Sequence, residues 1–216
     1  MEIMKPYPPL GLLYISAYLE KNGIDNDIFD STFSDFESLK SYLLSRQPSI
    51  IGIYTNLMTK LNVLRIIQFT RKEKLPTKII LGGPEVRNHQ ENFLKLGADV
   101  VVFGEGEQTM LELVQAFQAN ASLHTINGIA FKTNEGTIQV NQERELLKNL
   151  DELPLPNRKK ISLQKYFEAW KTAHGESVIS MSTMRGCPYD CKWCSRAVYG
   201  QSYRRRSAQC VVDEMK

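Results

Sequence analysis

The chain has 216 residues, of which 42% are hydrophobic and 24% are charged, and this is an ordinary globular composition with length for one large or two small domains. Its net charge of +3 is too small to indicate a nucleic-acid or membrane partner, and no apolar run approaches the length of a membrane span. Four cysteines, three of them grouped late in the chain, indicate a reducing compartment rather than disulfide bonds, so we expect a cytoplasmic protein.

Residues 1–125 alternate helical and strand patterns. Apolar residues at helical spacing predict helices at 10–22, 34–45, 59–72, 89–96 and 107–119, the second of them capped by Ser34. Short apolar or β-branched runs predict strands at 27–30, 49–54, 78–81 and 99–103. Because the last three strands are apolar throughout, they predict a parallel sheet buried on both faces. We therefore expect an α/β domain with a flavodoxin-like or doubly wound parallel sheet over 1–125.

Polar and glycine-rich segments follow three of these strands. In a sheet of this kind, ligands bind at the carboxyl ends of the strands. Glycines there let backbone amides approach a ligand, and the start of the helix at Glu107 adds a partial positive charge. The candidate cofactor-binding residues at this position are Thr55, Asn56, Gly82, Gly83, Gly104, Glu105, Gly106 and Glu107.

Some polar groups allow two interpretations. Glu105 and Glu107 either contact a ligand or stabilise the dipole of the helix that they precede or begin. The run 204–206, Arg-Arg-Arg, either reaches a carboxylate or phosphate or forms a solvated face, and we favour the second interpretation. Cys210 is most simply a helix core residue.

The second half of the chain begins with a hairpin signal. Two short apolar runs, 128–131 and 137–140, flank Asn134-Glu135-Gly136. The stiff segment Leu153-Pro154-Leu155-Pro156 is the predicted domain boundary, so that 126–160 forms a hairpin and linker. Beyond it, 161–216 is predicted to contain a helix at 161–171, a strand at 177–183, a cysteine-bearing loop and a helix at 208–216.

Cys187, Cys191 and Cys194 have the spacing Cys-x-x-x-Cys-x-x-Cys, which lets three thiolates turn toward one metal centre. A cubane iron–sulfur cluster has four irons, so three protein ligands leave one iron open to another molecule. A zinc knuckle is the first alternative, although zinc sites favour paired Cys-x-x-Cys units and a fourth ligand, for which Cys210 is available. Three unrelated thiols are the second alternative. We favour the iron–sulfur cluster.

The segment Arg185–Cys194 resembles the cluster loop of the radical S-adenosylmethionine (radical SAM) superfamily. The three cysteines and the aromatic Trp193 before the last of them carry the resemblance, and the flanking Met184-Arg185-Gly186 and 204–207 also look like the family. The resemblance implies a 4Fe-4S cluster on the cysteines and S-adenosylmethionine on the open iron, which generates a 5′-deoxyadenosyl radical. It also implies that Trp193 shields the cluster or lines the adenine side, within the first part of a partial (β/α) barrel.

The N-terminal region resembles the cobalamin-binding-type domain found upstream of many radical SAM cores. The resemblance rests on 8–14, Gly82-Gly83-Pro84, 104–107 and the linker 150–156, in that order. It implies cobalamin as a cofactor and either methyl transfer or a radical rearrangement such as ring closure. It further implies a small-molecule or peptide substrate and an electron donor such as a flavodoxin or ferredoxin. The motif Asp-x-His-x-x-Gly is absent, so we expect no histidine ligand to cobalt from His89, His124 or His174.

Members of this type usually begin with a strand before the Pro-Pro segment and continue past the cluster loop to complete the barrel. Met1–Lys5 is too short for that strand, so the resemblance leads us to expect a chain truncated at both ends. Two other functions compete with a radical SAM enzyme. An RNA methylthiotransferase would need a second set of three cysteines, and none precedes Cys187. A non-catalytic cobalamin-type module with a vestigial cluster loop is the other alternative.

Overall fold

The structure is a computed structural model that describes residues 5–194 and 198–216. The described residues form two compact units. The first, here the helical unit, takes them from Met1–Leu39, Asn149–Arg185 and Arg204–Lys216. The second, here the sheet unit, is Lys40–Lys148 with Gly186–Tyr203. The predicted partition at 1–125, 126–160 and 161–216 stays a prediction.

Two helices come first, and from the second helix to the fifth, helices and strands alternate, as predicted for that part of the chain. The helices are α1 Leu10–Lys21, α2 Phe36–Arg46, α3 Lys60–Lys72, α4 Gln90–Lys95, α5 Glu107–Ala119, α6 Leu163–His174 and α7 Ala208–Met215. The strands are β1 Ile50–Tyr54, β2 Lys78–Gly82, β3 Val100–Val102, β4 Ile129–Lys132, β5 Ile138–Val140, β6 Met184–Arg185 and β7 Arg204–Arg205. None of the helices in the described ranges has the length and apolar character needed to cross a bilayer.

The main sheet has the strand order β1-β2-β3-β4-β5. β1, β2 and β3 are parallel, whereas β4 and β5 add to β3 in antiparallel orientation. The predicted hairpin is therefore confirmed, but it belongs to the same sheet, which is mixed rather than parallel throughout. The sheet is mixed because β4 pairs with β3 in antiparallel orientation. Its residues Ile129, Ala130 and Phe131 are at most 5% exposed, so β4 lies inside the sheet rather than at its edge.

Both faces of the sheet are covered, as predicted for the α/β class. Successive residues of a strand point to opposite faces, and β2 divides in this way. Ile79 and Leu81 pack in one cluster with Ile67 of α3 and Phe93 of α4. Ile80 packs in the other cluster, which includes residues of α5.

Four predictions about strands and caps are wrong. β1 was expected to be buried on both faces, yet Tyr54 is exposed, because β1 is the outermost strand of the described sheet. The segments 27–30 and 177–183 form no strand, because no neighbouring strand in the described residues supplies their hydrogen bonds. The cap of α2 is Asp35 rather than Ser34, since the Ser38 N–H donates to Asp35 Oδ1 at 2.8 Å.

Two aromatic side chains of α6 are buried in the helical unit and form hydrogen bonds there. Tyr166 is fully buried and its hydroxyl donates to Asp30 at 2.7 Å, while Trp170 Nε1 donates to the carbonyl of Pro6 at 2.7 Å. α1 ends at Lys21 and Gly23 follows as its predicted stop: Gly23 has φ +77 and its N–H donates to Glu20 O at 3.0 Å. Helices α6 and α7, predicted at 161–171 and 208–216, are confirmed with small shifts of their ends.

Candidate cofactor-binding edge and cluster loop

The loops after β1 and β2 meet through their main chains. Tyr54 and Gly82 are paired in register, so the two strands end side by side. The Thr55 N–H then donates to Gly82 O at 2.7 Å. Gly83 has φ +109, and a Cβ there would lie 2.4 Å from Thr55 O, so only glycine fits. Thr55, Gly82 and Gly83 are thus brought together at the carboxyl edge of the sheet, by which we mean the loops after β1, β2 and β3.

Asn56 organises the start of α3. Its Oδ1 accepts from the Thr59 N–H at 2.9 Å, and its own N–H donates to Thr59 Oγ1 at 3.0 Å. The Lys60 N–H donates to Asn56 O at 3.0 Å. These bonds satisfy donors that the first turn of a helix leaves without an intrahelical partner. The structure therefore gives Asn56 a local structural role, and its predicted contact with a cofactor stays a prediction.

The loop after β3 has an open glycine and two buried glutamates. Gly104 has φ +86, and a Cβ built on it would meet nothing within 4 Å, so space lies beside the main chain there. Glu105 is 7% exposed and its Oε2 accepts from the Leu147 N–H at 2.8 Å. Glu107 is 6% exposed and is the first residue of α5. Glu105 therefore has a structural partner, and ligand contact by either glutamate stays a prediction, as does contact by Gly106.

Large apolar side chains stand exposed beside the loop after β1. Tyr54 is 46% exposed, Leu57 73%, Met58 81% and Leu61 74%. We call these four residues the apolar lip. The sequence reasoning missed Leu57 and Met58 and took Leu61 for an ordinary apolar position of α3. The available signal was Leu57-Met58 itself, an apolar pair in a loop where polar turn residues are expected. Four large apolar side chains exposed within eight residues are typical of a binding surface, so the apolar lip is a candidate for one.

The histidines do not gather in a metal site within the described residues. His89 Nε2 lies 3.3 Å from Glu85 Oε1, and Lys60 Nζ donates to the same oxygen at 2.6 Å. The Lys60 hydrogen bond is the main cause of a lowered pKa for Glu85. His124 packs edge-on against Phe131, with ring centres 5.2 Å apart.

The cluster loop carries its thiols near the surface. Cys187 is half-buried, whereas Cys191 and Cys194 are exposed, and all three are free of disulfides. The Cys194 N–H donates to Cys191 O at 3.1 Å, and Trp193 is 89% exposed. Across the described residues, no three His, Cys, Asp or Glu side chains come together closely enough to hold one metal ion. The donor set fits a cluster chemically, but the structure does not bring its three sulfurs to one point.

Arg206 is buried rather than solvated, so the prediction of a solvated face is wrong for this residue. Its side chain is 3% exposed and forms an ion pair with Glu214, and it donates to Tyr14 Oη at 2.9 Å. Burial, and then the Glu214 charge, raise the pKa of Tyr14 to about 12. Arg206 also donates to Cys210 Sγ at 2.9 Å, and Cys210 is half-buried on α7. This carboxylate-bound arginine is a structural element of the helical unit.

The model of the B12-binding domain family matches residues 2–114, which is more than half of the chain. The chain belongs to the B12-binding domain family. This confirms the resemblance of the N-terminal region to cobalamin-binding-type domains. The match covers β1 to β3 and the three loops of the carboxyl edge.

Three of the relatives carry the name of a methyltransferase or a cyclase. An uncharacterized methyltransferase of Pyrococcus horikoshii is 30% identical over 215 residues, which is 96% of this chain and 45% of that protein. Cytidylyl-2-hydroxyethylphosphonate methyltransferase of Streptomyces wedmorensis is 28% identical, covering 96% of this chain and 47% of that protein. Anaerobic magnesium-protoporphyrin IX monomethyl ester cyclase of Rubrivivax gelatinosus is 27% identical, covering 100% and 40%. The chain spans less than half of each of these relatives.

Solved structures share the fold. The cobalamin-dependent S-adenosylmethionine radical enzyme OxsB superposes with a TM-score of 0.83 at 23% identity, over 99% of this chain and 29% of that one. The radical S-adenosylmethionine methyltransferase TsrM of Kitasatospora setae superposes with a TM-score of 0.76 at 20% identity, over 100% and 43%. The chain thus has an α/β, Rossmann-like fold that it shares with these structures, as expected of a B12-binding domain.

Proposed function

We propose that the chain binds cobalamin at the carboxyl edge of its sheet and a 4Fe-4S cluster on Cys187, Cys191 and Cys194. In this proposal it is the cofactor-binding part of a cytoplasmic radical SAM enzyme that transfers a methyl group or rearranges its substrate. The substrate would be a small molecule or peptide, and a flavodoxin or ferredoxin would supply electrons. The observation that carries the proposal is the apolar lip beside the glycine loops of a B12-binding family member.

The carboxyl edge offers the kind of apolar surface that a corrin ring needs. A corrin presents a broad, mostly apolar face, and the lip offers apolar side chains that are 46% to 81% exposed. Covering one exposed Leu or Met side chain contributes about 1.5–3 kcal/mol. The open space beside Gly104 leaves the main chain accessible to the ring substituents. When bound, cobalamin supplies a cobalt centre that can carry a methyl group.

The cysteines supply the second half of the proposal. Cys187, Cys191 and Cys194 would hold the cluster, and the iron without a protein ligand would bind S-adenosylmethionine, for which the cluster would supply radical chemistry. Trp193, at 89% exposed, would cover the cluster from solvent, and shielding of this kind tunes cluster potential.

A non-catalytic cobalamin module is the second candidate function. It is favoured by the exposure of Cys191 and Cys194 and by the absence of a gathered metal site in the described residues. In that case the chain would bind cobalamin but would neither hold a cluster nor cleave S-adenosylmethionine.

The cobalamin half is tested by titrating the chain with aquacobalamin and following tryptophan fluorescence and the visible spectrum. We expect saturable binding that the double variant Leu57→Ser/Met58→Ser weakens by about tenfold or more, since about 1.4 kcal/mol is a factor of ten. Leu96→Ser is the matched control, because Leu96 is 51% exposed but lies at the end of α4, outside the lip. No saturable binding by the unaltered chain, or equal weakening by Leu96→Ser, would contradict the proposal.

The cluster half is tested by electron paramagnetic resonance of the anaerobically reconstituted, reduced chain. A cubane signal that changes on addition of S-adenosylmethionine is expected for an open iron. Saturable cobalamin binding with no cluster signal would favour the non-catalytic module.

A further inference from the structure

The two ends of the cluster loop touch through their main chains. Gly186 directly precedes the first ligand, and a Cβ built on it would lie 2.4 Å from the carbonyl oxygen of Ser202 and 2.1 Å from its Oγ. One residue further in, Cys187 and Gln201 form an isolated parallel β-bridge. The segment that carries all three thiols is therefore closed at its base by residues 186–187 against 201–202.

We propose that the contact of Gly186 with Ser202 is a clasp that positions Cys187 for cluster binding, an inference that rests on the proposed cluster. Cys187 follows the clasp directly, so closing the loop restricts where its sulfur can lie. Cys191 and Cys194 are tied to each other by a turn with an N–H···O distance of 3.1 Å. A loop that is already closed has less conformational entropy to lose when three thiolates converge on one centre. Gly186 is therefore a positioning residue, although it contacts no iron.

Glycine is required at the clasp for two separate reasons. Its φ of +83 lies in the left-handed region that side chains disfavour, and the space that a Cβ needs is filled. The nearer obstacle is the Ser202 hydroxyl, which can turn away by giving up its hydrogen bond to Tyr199 O at 2.9 Å. The carbonyl oxygen belongs to the main chain and cannot turn away in this manner. Gly200 provides a matched control in the same loop, because it has φ +59 but nothing within 4 Å of its Cβ position.

The experiment compares the full chain with its Gly186→Ala and Gly200→Ala variants. Hydrogen exchange of the peptide covering 186–203 is measured first, without iron. We expect exchange in Gly186→Ala to be faster by about tenfold, which corresponds to a loss of about 1.4 kcal/mol in the free energy of closing the loop. We expect exchange in Gly200→Ala to change much less. Iron per chain and the reduced-cluster signal are measured after anaerobic reconstitution. We expect Gly186→Ala to lose most of both with an unchanged thermal unfolding midpoint, and Gly200→Ala to retain them.

The possible results distinguish a failure of the clasp from a failure of the proposed cluster. Unchanged exchange in Gly186→Ala would overturn the clasp, whatever happens to the iron. Faster exchange with full iron retention would overturn its positioning role. No iron in the unaltered chain would remove the proposed cluster, while the exchange data would still decide whether the clasp exists. We expect Gly186→Ala/Ser202→Gly to behave like Gly186→Ala, because the carbonyl oxygen remains, and recovery in that double variant would overturn a main-chain clasp.

Discussion

The carboxyl edge of the sheet and the cluster loop differ in what holds their side chains in place. At the edge, main-chain hydrogen bonds lock the loops together, as between Thr55 and Gly82 at 2.7 Å, and Glu105 fixes the chain at Leu147. In the cluster loop, Cys191 and Cys194 are exposed and the three sulfurs do not converge. The edge is thus organised by its own hydrogen bonds, whereas the cluster loop would gain its final geometry from the proposed cluster.

The largest expected effect is on the cluster loop. Replacing Cys187, Cys191 or Cys194 by alanine should abolish iron binding, because two thiolates do not hold a cubane cluster stably. Cys191 and Cys194 are exposed, so their replacement should leave the unfolding midpoint unchanged. Iron per chain after anaerobic reconstitution and gel filtration is the measurement.

Cys210→Ala is the control for the three cysteine variants. Cys210 lies on α7 and contacts Arg206 rather than the loop thiols, so the variant should keep its iron. Equal iron loss in Cys210→Ala would contradict the three-ligand assignment and favour a four-thiolate zinc-type site.

The next largest effect is on the packed edge. Gly83→Ala should lower the free energy of unfolding by about 3 kcal/mol, because it combines left-handed strain with a main-chain clash against Thr55. Gly136→Ala is the control: it has φ +85, but its nearest neighbour is a flexible Lys132 atom at 3.8 Å, so only the strain of about 1–2 kcal/mol applies. Urea unfolding gives the loss in free energy of unfolding for each variant. Equal losses would show that the edge is not locked at Gly83.

Substitutions of Glu105 distinguish a structural role of its carboxylate from contact with a ligand at the same edge. Glu105→Ala leaves the Leu147 N–H without its acceptor and should cost about 1–3 kcal/mol. Glu105→Gln keeps an acceptor oxygen, so it should cost less and leave cobalamin affinity within about twofold. Urea unfolding and aquacobalamin titration measure the two quantities. A large affinity loss in Glu105→Gln at unchanged stability would assign the carboxylate to the ligand instead.

The sequence predicted the central strands and the helices around them well. β2 and β3 are apolar on both faces, and such runs have few alternatives to a buried parallel strand. The segment 177–183 has a similar local pattern but forms no strand, because a strand also needs a neighbour that local sequence does not specify. For the same reason the hairpin was recognised locally, while its pairing with β3 through Val101 and Ala130 was not.

For the candidate site, the sequence predicted which loops come together better than it predicted the contacts within them. The glycine turns identified the loops that the strands bring together, because Gly83 and Gly104 have backbone angles that only glycine adopts readily. The partner of Glu105 lies far along the chain at Leu147, which no local pattern indicates. Leu61 fits the apolar spacing of α3 but faces solvent. Spacing alone did not predict this, because it does not show which apolar positions the core covers.

The smallest expected effect concerns a charged pair at the edge. The hydrogen bond from Lys60 is the largest cause of the lowered pKa of Glu85. Burial is the next largest and opposes it, and the charges of Lys60 and then His89 lower the pKa further. Because this pKa is lower in the folded state, the pair stabilises the fold above the ordinary glutamate pKa, and that contribution is lost as pH falls through the folded value. Lys60→Met should raise the Glu85 pKa toward its ordinary value, measured by carboxyl-carbon NMR titration. Lys95→Met, which removes the comparable partner of Glu91, should raise the pKa of Glu91 and leave Glu85 unchanged. A Glu85 pKa that does not respond to Lys60→Met would mean that the loop after β2 is not tied to α3 by this pair, and the edge would then be less organised than the comparison with the cluster loop requires.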